Sequence, residues 1–485
     1  MNRPIRRVAV VVLVLLFALL VNVNWVQAFE AGSLSQRTDN QRVRVAEYSR
    51  ERGSILVGGE AIARSTPTDD SLKYLRRYPG GAEYAPVTGY YSILYGSTGI
   101  EHSQNPSLAG TDSRLFVRRV VDLVQGDEPS GASVELTLQA PVQDAAWRGL
   151  EGVRGAVVAL DPRTGAVLAL ASRPSYDPST LSSHDTAATT AAWKALNADR
   201  NRPAANRATR ETYPPGSTFK LVTTAAALAT GRYQASTVVP APDRLKLPGT
   251  TTYLDNDAGE QCGSDQQATL TQALTISCNT AFGQLGLTLG NAALSAEARK
   301  FGFGRKLLPE LDGVASVYSD DADRPQTASA AIGQFDDRAT VVQMASVAAT
   351  IAAGGKRHEP YLVQRVLGPD LSTVSSHDAD DPETVMSAQA AGQLTTMMES
   401  VVTRGTGTAA RISGVRVAGK TGTAQTGTGN SGPTVAWFVA FAPAQDPTIA
   451  VAVAVEDADL PRGSDAYGGK VAAPIAKRVI QAALR

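Results

Sequence analysis

The first thirty residues set a polar flank against a dense apolar run. Arg3, Arg6 and Arg7 precede AVVVLVLLFALLV, which begins at Ala9, and a less pure apolar stretch continues through Val23, Trp25 and Val26 to Phe29. A basic flank before about 20 mostly apolar residues predicts an export signal long enough to span a bilayer, with the arginines kept in the cytoplasm. The pattern predicts a cytoplasmic tail at residues 1–7, a transmembrane signal anchor at residues 8–29 and an extracytoplasmic remainder. Val26-Gln27-Ala28 is a weak small-x-small cleavage site, so a cleaved signal peptide is the competing reading. The later run Ile449–Val455 (IAVAVAV) has only strand length.

Beyond the anchor, residues 30 to about 130 are polar and turn-rich, with short apolar pieces at Gly53–Val57, Tyr90–Tyr95 and Leu115–Val124. They carry seven tyrosines and no catalytic constellation, which predicts a small β-rich pedestal domain over residues 30–150. Val134–Leu138 alternates as a half-buried strand does, and a helix follows around Val142–Leu150. From Gly155 the sequence reads GAVVALDPRTGAVLALA, two β-rich runs around a turn at Asp161–Gly165. That hairpin opens the main domain, taken as residues 151–485. Residues 217–230 predict a helix, preceded by Pro214-Pro215-Gly216 and stopped by Gly231. More helices are predicted at 267–276, 280–289, 293–300, 338–353 and 386–402, then strands at Val435–Phe441 and Thr448–Val455 and a last helix at Ala472–Leu484. Strands at both ends with helices between predict an α+β fold, one antiparallel sheet flanked by helices.

Composition narrows the chemistry. The 485 residues hold 46 basic and 46 acidic side chains, which argues against nucleic-acid binding through bulk positive charge. Without Arg3, Arg6 and Arg7 the exported part carries 43 basic against 46 acidic groups, a net charge of −3. Two cysteines cannot build a structural zinc site or an iron–sulfur cluster, and four scattered histidines without HExxH make a histidine-rich metal site a poor prospect. No G-x-S-x-G elbow accompanies any serine.

Three short motifs carry the candidate chemistry, in order: Ser217-Thr218-Phe219-Lys220, Ser277-Cys278-Asn279 and Lys420-Thr421-Gly422. Positions i and i+3 share a helix face, so Lys220 lies one turn beyond Ser217. A serine hydroxyl is a poor nucleophile until a base takes its proton, and a lysine is a base only when burial or other cations lower its pKa. Pro-Pro-Gly places Ser217 at a helix N-terminus, where backbone N–H groups favour a developing oxyanion. Ser277 can relay a proton and Asn279 can grip an amide. Small residues around Lys420 let a substrate backbone lie along a strand edge, with Thr421 and Thr423 offering hydroxyls to a carboxylate.

Each motif alone is weak. Ser103-Gln104-Asn105 is a second S-x-N, before the nucleophile and without partners, and it reads as a loop. Gly414–Thr421 also fits the phosphate-loop pattern G-x-x-x-x-G-K-[ST], but that loop demands a helix straight after Lys-Thr. Here Gly422–Gly429 and Pro433 follow, which cannot start a long helix, and residues 415–418 look like a strand.

Order and spacing combine the three signals. Together with GAVVALDPRTGAVLALASRPSYDP, YPPGSTFK, SCNTAF, the Ala331–Ala353 block and KTGTAQ before AWFVAFAP, they make residues 150–485 resemble the penicillin-binding proteins, most of all the class B single-function transpeptidases of the penicillin-binding protein A type. The resemblance implies a serine-type peptidoglycan D,D-transpeptidase with no cofactor. Its donors would be stem peptides ending in D-Ala-D-Ala, its inhibitors β-lactams, and cell-division or elongation proteins its further partners. It implies Ser217 as the acylated nucleophile and Lys220 as its base. Ser277 and Lys420 would handle the leaving-group proton, Asn279 would hold the substrate amide, and Thr421, Gly422 and Thr423 would bind the substrate end. The oxyanion hole would be the N–H groups of Ser217 and Thr423. Two departures stand out. After Arg52-Gly53-Ser54-Ile55 the family's D-R-x-G is replaced by a stretch that includes Val57-Gly58-Gly59, and the family's I-G-Q-G becomes Ile332-Gly333-Gln334-Phe335. The rivals are an anchored β-lactamase, a D,D-carboxypeptidase and a mainly structural division scaffold.

Cys262 and Cys278 are the only cysteines, and an oxidising compartment predicts a disulfide between them; two buried free thiols are the alternative. The closed loop of roughly 15 residues would contribute about 3 kcal/mol in the chain-entropy model. If residues 8–29 are a retained anchor, the protein purified from membranes keeps its first residues, and a mature N-terminus at Phe29 on peptide sequencing would refute the anchor.

Overall fold

The chain was analysed as a computed structural model that describes residues 3–27, 45, 48–115, 130–259, 261–378, 381–425, 432–457 and 468–485. The apolar N-terminal run forms helix α1 (Arg3–Trp25), with no buried side chain. Its 23 residues extend ~34 Å at 1.5 Å per residue, enough to cross a hydrocarbon core of ~30 Å. The cleavage-like Ala28, Phe29, residues 116–124 of the third apolar piece and the Gly427–Gly429 flank lie outside the described residues.

Two sheets organise the rest. In chain order their strands are β1 (Ile55–Val57), β2 (Glu60–Pro67), β3 (Tyr74–Arg77), β4 (Ser133–Leu136), β5 (Arg154–Leu160), β6 (Val167–Arg173), β7 (Val363–Leu367), β8 (Thr373–Ser376), β9 (Ala418–Ala424), β10 (Thr434–Ala442) and β11 (Ile449–Asp457). The six-stranded sheet runs β8-β7-β4-β1-β2-β3, and the second runs β9-β10-β11-β5-β6, antiparallel throughout. The helices that matter here are α2 (Ala140–Gly149), α3 (Lys220–Ala229), α4 (Asn279–Leu289), α5 (Val341–Ala352), α6 (Ala388–Arg404) and α7 (Ala473–Ala483).

The five-stranded sheet is covered on both faces, and the IAVAVAV alternation shows how. Ile449, Val451, Val453 and Val455 join the outer core beneath α2 and α7. Ala450, Ala452 and Ala454 face the inner core, where their small side chains admit the mostly apolar, almost entirely buried helix α5. The β5–β6 hairpin turns where its Asp-Pro-Arg-Thr-Gly sequence predicts. Asp161 Oδ1 accepts from the Arg163 N–H at 2.9 Å, and Gly165 takes the left-handed conformation at φ 82°. Helix α2 packs on this sheet, so the catalytic layer draws on residues before 151.

The six-stranded sheet is less contiguous in sequence than its strand signals suggest. β1 pairs in parallel with β4, nearly eighty residues later, and β4 pairs with β7, which comes from the far half of the chain. Gly53 is required by that closeness, since a Cβ there would lie 2.0 Å from the Ala132 carbonyl oxygen. The departure at Val57-Gly58-Gly59 builds the two-residue turn from β1 to β2, with φ of 57° and 84° at the glycines and Val57 paired to Glu60.

A buried ion cluster locks this domain. Arg52 Nε and Arg76 Nε each donate to the Glu101 carboxylate at 2.6 Å, and Tyr78 OH donates to it at 3.2 Å. Arg52 also donates to Asn105 Oδ1, so the second Ser-x-Asn (Ser103–Asn105) serves the pedestal. Burial pushes the Glu101 carboxyl up, but the two guanidinium groups outweigh it and hold its pKa below the ordinary value. A folded-state pKa below the unfolded one means stability that is present at neutral pH and lost as pH falls through the folded value. Glu101→Gln is therefore expected to destabilise the pedestal at neutral pH by about 3–5 kcal/mol, because two buried guanidinium groups lose their counter-charge. Denaturant unfolding at pH 7 and pH 3 checks this, and the difference between variant and parent should shrink at the lower pH.

Candidate active site

Ser217 lies in a 3-10 turn, Gly216–Phe219, that runs straight into α3 at Lys220. In a 3-10 turn residues i and i+3 eclipse, so Lys220 follows directly beyond Ser217. Ser217 is 4% exposed and Lys220 is fully buried. The turn is held from two sides by glycines. Gly216, at φ 53°, donates its N–H to the Gly333 carbonyl at 2.9 Å. Gly333, at φ 75°, has no room for a Cβ, which would lie 2.2 Å from the Gly216 carbonyl oxygen. On the other side β9 lies against the turn. A Cβ on Gly422 would meet Thr218 Cγ2 at 3.0 Å and the Thr218 nitrogen at 3.1 Å, and one on Gly216 would meet the Thr423 carbonyl oxygen at 2.8 Å. These contacts bring the backbone of Thr423 beside that of Ser217. The Trp437 indole adds a bond from β10 to the Pro214 carbonyl at 2.9 Å, ahead of the turn.

Three segments far apart in sequence meet at one hydroxyl. Lys420 Nζ donates to Ser277 Oγ at 2.8 Å, and Lys220 Nζ donates to the same oxygen at 3.1 Å. Lys220 also donates to the Ser277 carbonyl at 2.6 Å and to Asn279 Oδ1 at 2.7 Å. Lys420 is fully buried and donates to the Thr421 carbonyl as well, at 2.8 Å. Ser277 takes a left-handed φ of 66° between the helix Leu270–Thr275 and α4. That conformation costs a non-glycine residue about 1–3 kcal/mol, and such strain gathers at functional positions. The next residue, Cys278, is disulfide-bonded to Cys262 with Cα atoms 5.8 Å apart, so the predicted pair is present and ties the S-x-N segment to the preceding loop.

The remaining site residues sit less simply. Asn279 Nδ2 donates to the Asp255 carbonyl at 3.2 Å and reaches Asp257 Oδ1 at 3.4 Å, so its amide is braced between Lys220 and the 255–257 loop. Thr421 is fully buried and its hydroxyl is 2.6 Å from that of Thr406. Thr423 Oγ1 is buried and has no hydrogen-bond partner among the described residues. Residues 418–424 are a strand, which removes the phosphate-loop alternative. Thr406 and Asp255 had no signal of their own in the sequence, whereas Gly333 and Trp437 stood within the Ile332–Phe335 and AWFVAFAP stretches without a role assigned to them. Phe335 takes φ 66° and is 38% exposed, and Arg338 Nη1 donates to its carbonyl at 3.1 Å.

A five-stranded antiparallel sheet between helical layers, with S-x-x-K, S-x-N and K-T-G meeting at one point, defines a transpeptidase fold of the penicillin-binding kind. The chain belongs to the penicillin-binding protein transpeptidase family, whose transpeptidase domain matches residues 155–481, while the penicillin binding protein A dimerisation domain matches residues 52–134. It is 46% identical to peptidoglycan D,D-transpeptidase PbpA of Mycolicibacterium smegmatis over 100% of this chain and 99% of that protein. It is 43% identical to PbpA of Mycobacterium tuberculosis H37Rv over the same shares of each chain. Among solved structures, the penicillin G acyl-enzyme complex of M. tuberculosis penicillin-binding protein A superposes with a TM-score of 0.85 at 43% identity, covering 90% of this chain and 100% of that one. The ceftriaxone acyl-enzyme complex of the same protein gives 0.86 at 42% identity, covering 91% and 100%.

Gly333→Ala is expected to displace the Ser217 turn by a few tenths of an ångström to an ångström. Positioning errors of that size can reduce reactivity on the order of 100-fold. Stopped-flow acylation by a fluorescent penicillin measures the loss, and an unchanged rate would show that Gly333 does not set the position of Ser217.

Proposed function

We propose that the protein is a membrane-anchored, serine-type peptidoglycan D,D-transpeptidase, inhibited by β-lactams, that works through an acyl-enzyme on Ser217. The observation that carries this reading is the convergence of two buried lysine Nζ atoms on Ser277 Oγ beside the turn that holds Ser217. The anchor α1 would leave the catalytic domain outside the cytoplasm, where stem peptides ending in D-Ala-D-Ala and β-lactams are met.

Lys220 enters the step as a neutral amine, having given up one of its three N–H bonds; Ser217 Oγ adds to the carbonyl carbon of the penultimate D-Ala, and its proton passes to the Lys220 nitrogen. The oxyanion is held by the N–H groups of Ser217 and Thr423, brought together by the contact of Gly216 and Gly422 with each other's segments. Ser277 Oγ accepts from both lysines, and its own O–H is a donor. It can therefore hand a proton to the departing D-Ala nitrogen and be replenished from Lys220 or Lys420. The C–N bond breaks and the acyl ester remains. An acceptor amine then attacks the ester, a new amide forms, and Ser217 recovers its proton. Asn279 would orient the stem-peptide amide, and Thr421, Gly422 and Thr423 would receive its carboxylate end. The unpartnered Thr423 hydroxyl suits that task best.

With a β-lactam the C–N bond that breaks lies in a ring, so the amine stays tethered and obstructs the acceptor. The expected result is one stable penicilloyl adduct on the full-length protein by intact-mass spectrometry, absent in Ser217→Ala. Lys220→Ala and Lys420→Ala should each slow adduct formation by roughly 100-fold or more, the range for removing a proton-transfer group. An adduct that clears in seconds with bulk hydrolysis of the antibiotic would identify a β-lactamase instead.

A further inference from the structure

A groove runs along the seam between the N-terminal domain and the catalytic domain. It has a lobe of about 200 Å³ at the seam and a continuation of about 420 Å³ lined by residues 196–211 of the catalytic domain alone, and the two share Leu196, Asn197, Ala204, Ala205, Asn206 and Arg210. Together they fall within the ~300–1,000 Å³ typical of small-ligand sites, which favour domain seams. The seam is fixed. Asn206 Nδ2 donates to the Pro86 carbonyl at 2.9 Å, and Asn206 Oδ1 accepts the Ala208 N–H at 3.1 Å. An aromatic cluster spans the two domains: Tyr95 stacks on Trp193 with centroids 4.3 Å apart, and Tyr90 stands edge-on to Trp193 at 6.0 Å and to Tyr176 at 6.5 Å. Beneath the loop, Arg207 is buried and holds the carbonyls of Pro174, Asn201, Arg202 and Ala205, so that wall is rigid.

The lining chemistry selects a ligand class. Charges of both signs border the groove: Arg202, Arg210, Asp199, Glu211 and Asp312. Arg202 is ion-paired to Glu211, whereas the exposed Arg210 makes no ion pair among the described residues. Ser175 Oγ, in the aromatic lobe, is buried without a hydrogen-bond partner among the described residues. A near-balanced ring of planar polar groups beside aromatic rings suits a neutral ligand with many hydroxyl and amide groups and ring-shaped apolar faces. It does not suit a strongly charged peptide, which would need one sign of charge to prevail. We propose that this seam groove binds a neutral amino-sugar oligosaccharide, the glycan part of the strand whose peptides the catalytic site joins. The choice of glycan rests on the transpeptidase reading; the groove and its chemistry do not.

The test uses the full-length protein in detergent and the N-acetylglucosamine tetramer as probe, by isothermal titration. Ala204, exposed and shared by both lobes, is replaced by tryptophan to fill the groove, and Arg210→Ala removes the unpaired cation. The wild type should bind the tetramer, Ala204→Trp should bind about ten-fold more weakly or not at all, and Arg210→Ala should fall between. Acylation of Ser217 by fluorescent penicillin should be unchanged in both variants, which shows that they fold and separates this proposal from the transpeptidase reading. No binding by the wild type, equal binding by Ala204→Trp, or binding only of a sugar-free stem peptide in competition for the groove would each overturn the proposal. Normal acylation alongside any of these would leave the transpeptidase reading standing.

Discussion

The catalytic domain depends on keeping two lysine side chains, Lys220 and Lys420, fully buried within reach of one serine hydroxyl. An ammonium group removed from water is tolerated only where hydrogen bonds replace its hydration. Ser277 Oγ, the Ser277 and Thr421 carbonyls and Asn279 Oδ1 supply those bonds. Each donor or acceptor arrives on a separate element, so the lysines can be buried only if α3, the S-x-N turn and β9 are all in place. The site and the fold around it are therefore one cooperative unit.

Close backbone approach is the second constraint. Gly216, Gly333 and Gly422 let three chain segments touch where any Cβ would hold them apart. The left-handed φ of Ser277 and of Phe335 shows strain accepted in the same region. At Phe335 the structure gives a reason for the glycine of the family pattern: the backbone there is left-handed, and this chain places a phenylalanine in it, with Arg338 bonded to its carbonyl. The disulfide acts on the same neighbourhood, fixing Cys278 between Ser277 and Asn279.

The N-terminal domain solves a different problem. It has short strands and little continuous apolar sequence, so it closes its core with an ion cluster around Glu101 and with tyrosines such as Tyr78, Tyr84, Tyr90 and Tyr91. It also borrows β7 and β8 from residues 363–376, which ties it to the catalytic layer through covalent continuity as well as packing.

Much was legible from local pattern. The apolar run of α1, the β5–β6 hairpin, α5, α6, the two long final strands and α7 all follow from periodicity and turn chemistry, which act over a few residues. S-x-x-K, S-x-N and K-T-G were legible as types and order, and the strand at Lys420 could be separated from a phosphate loop by the missing helix. The tertiary structure alone decided what depends on residues far apart in sequence. It decided that both lysines share Ser277 Oγ, that the Thr421 hydroxyl is taken by Thr406, and that Gly333 carries the Ser217 turn. It also decided that β4 accepts β1 on one edge and β7 on the other. Short strands carry too few residues to announce their partners, and a hydrogen bond between positions 220 and 277, or 277 and 420, leaves no periodic trace in the chain. Sequence fixes which groups are present and how each segment folds locally; only packing determines which of those groups face one another.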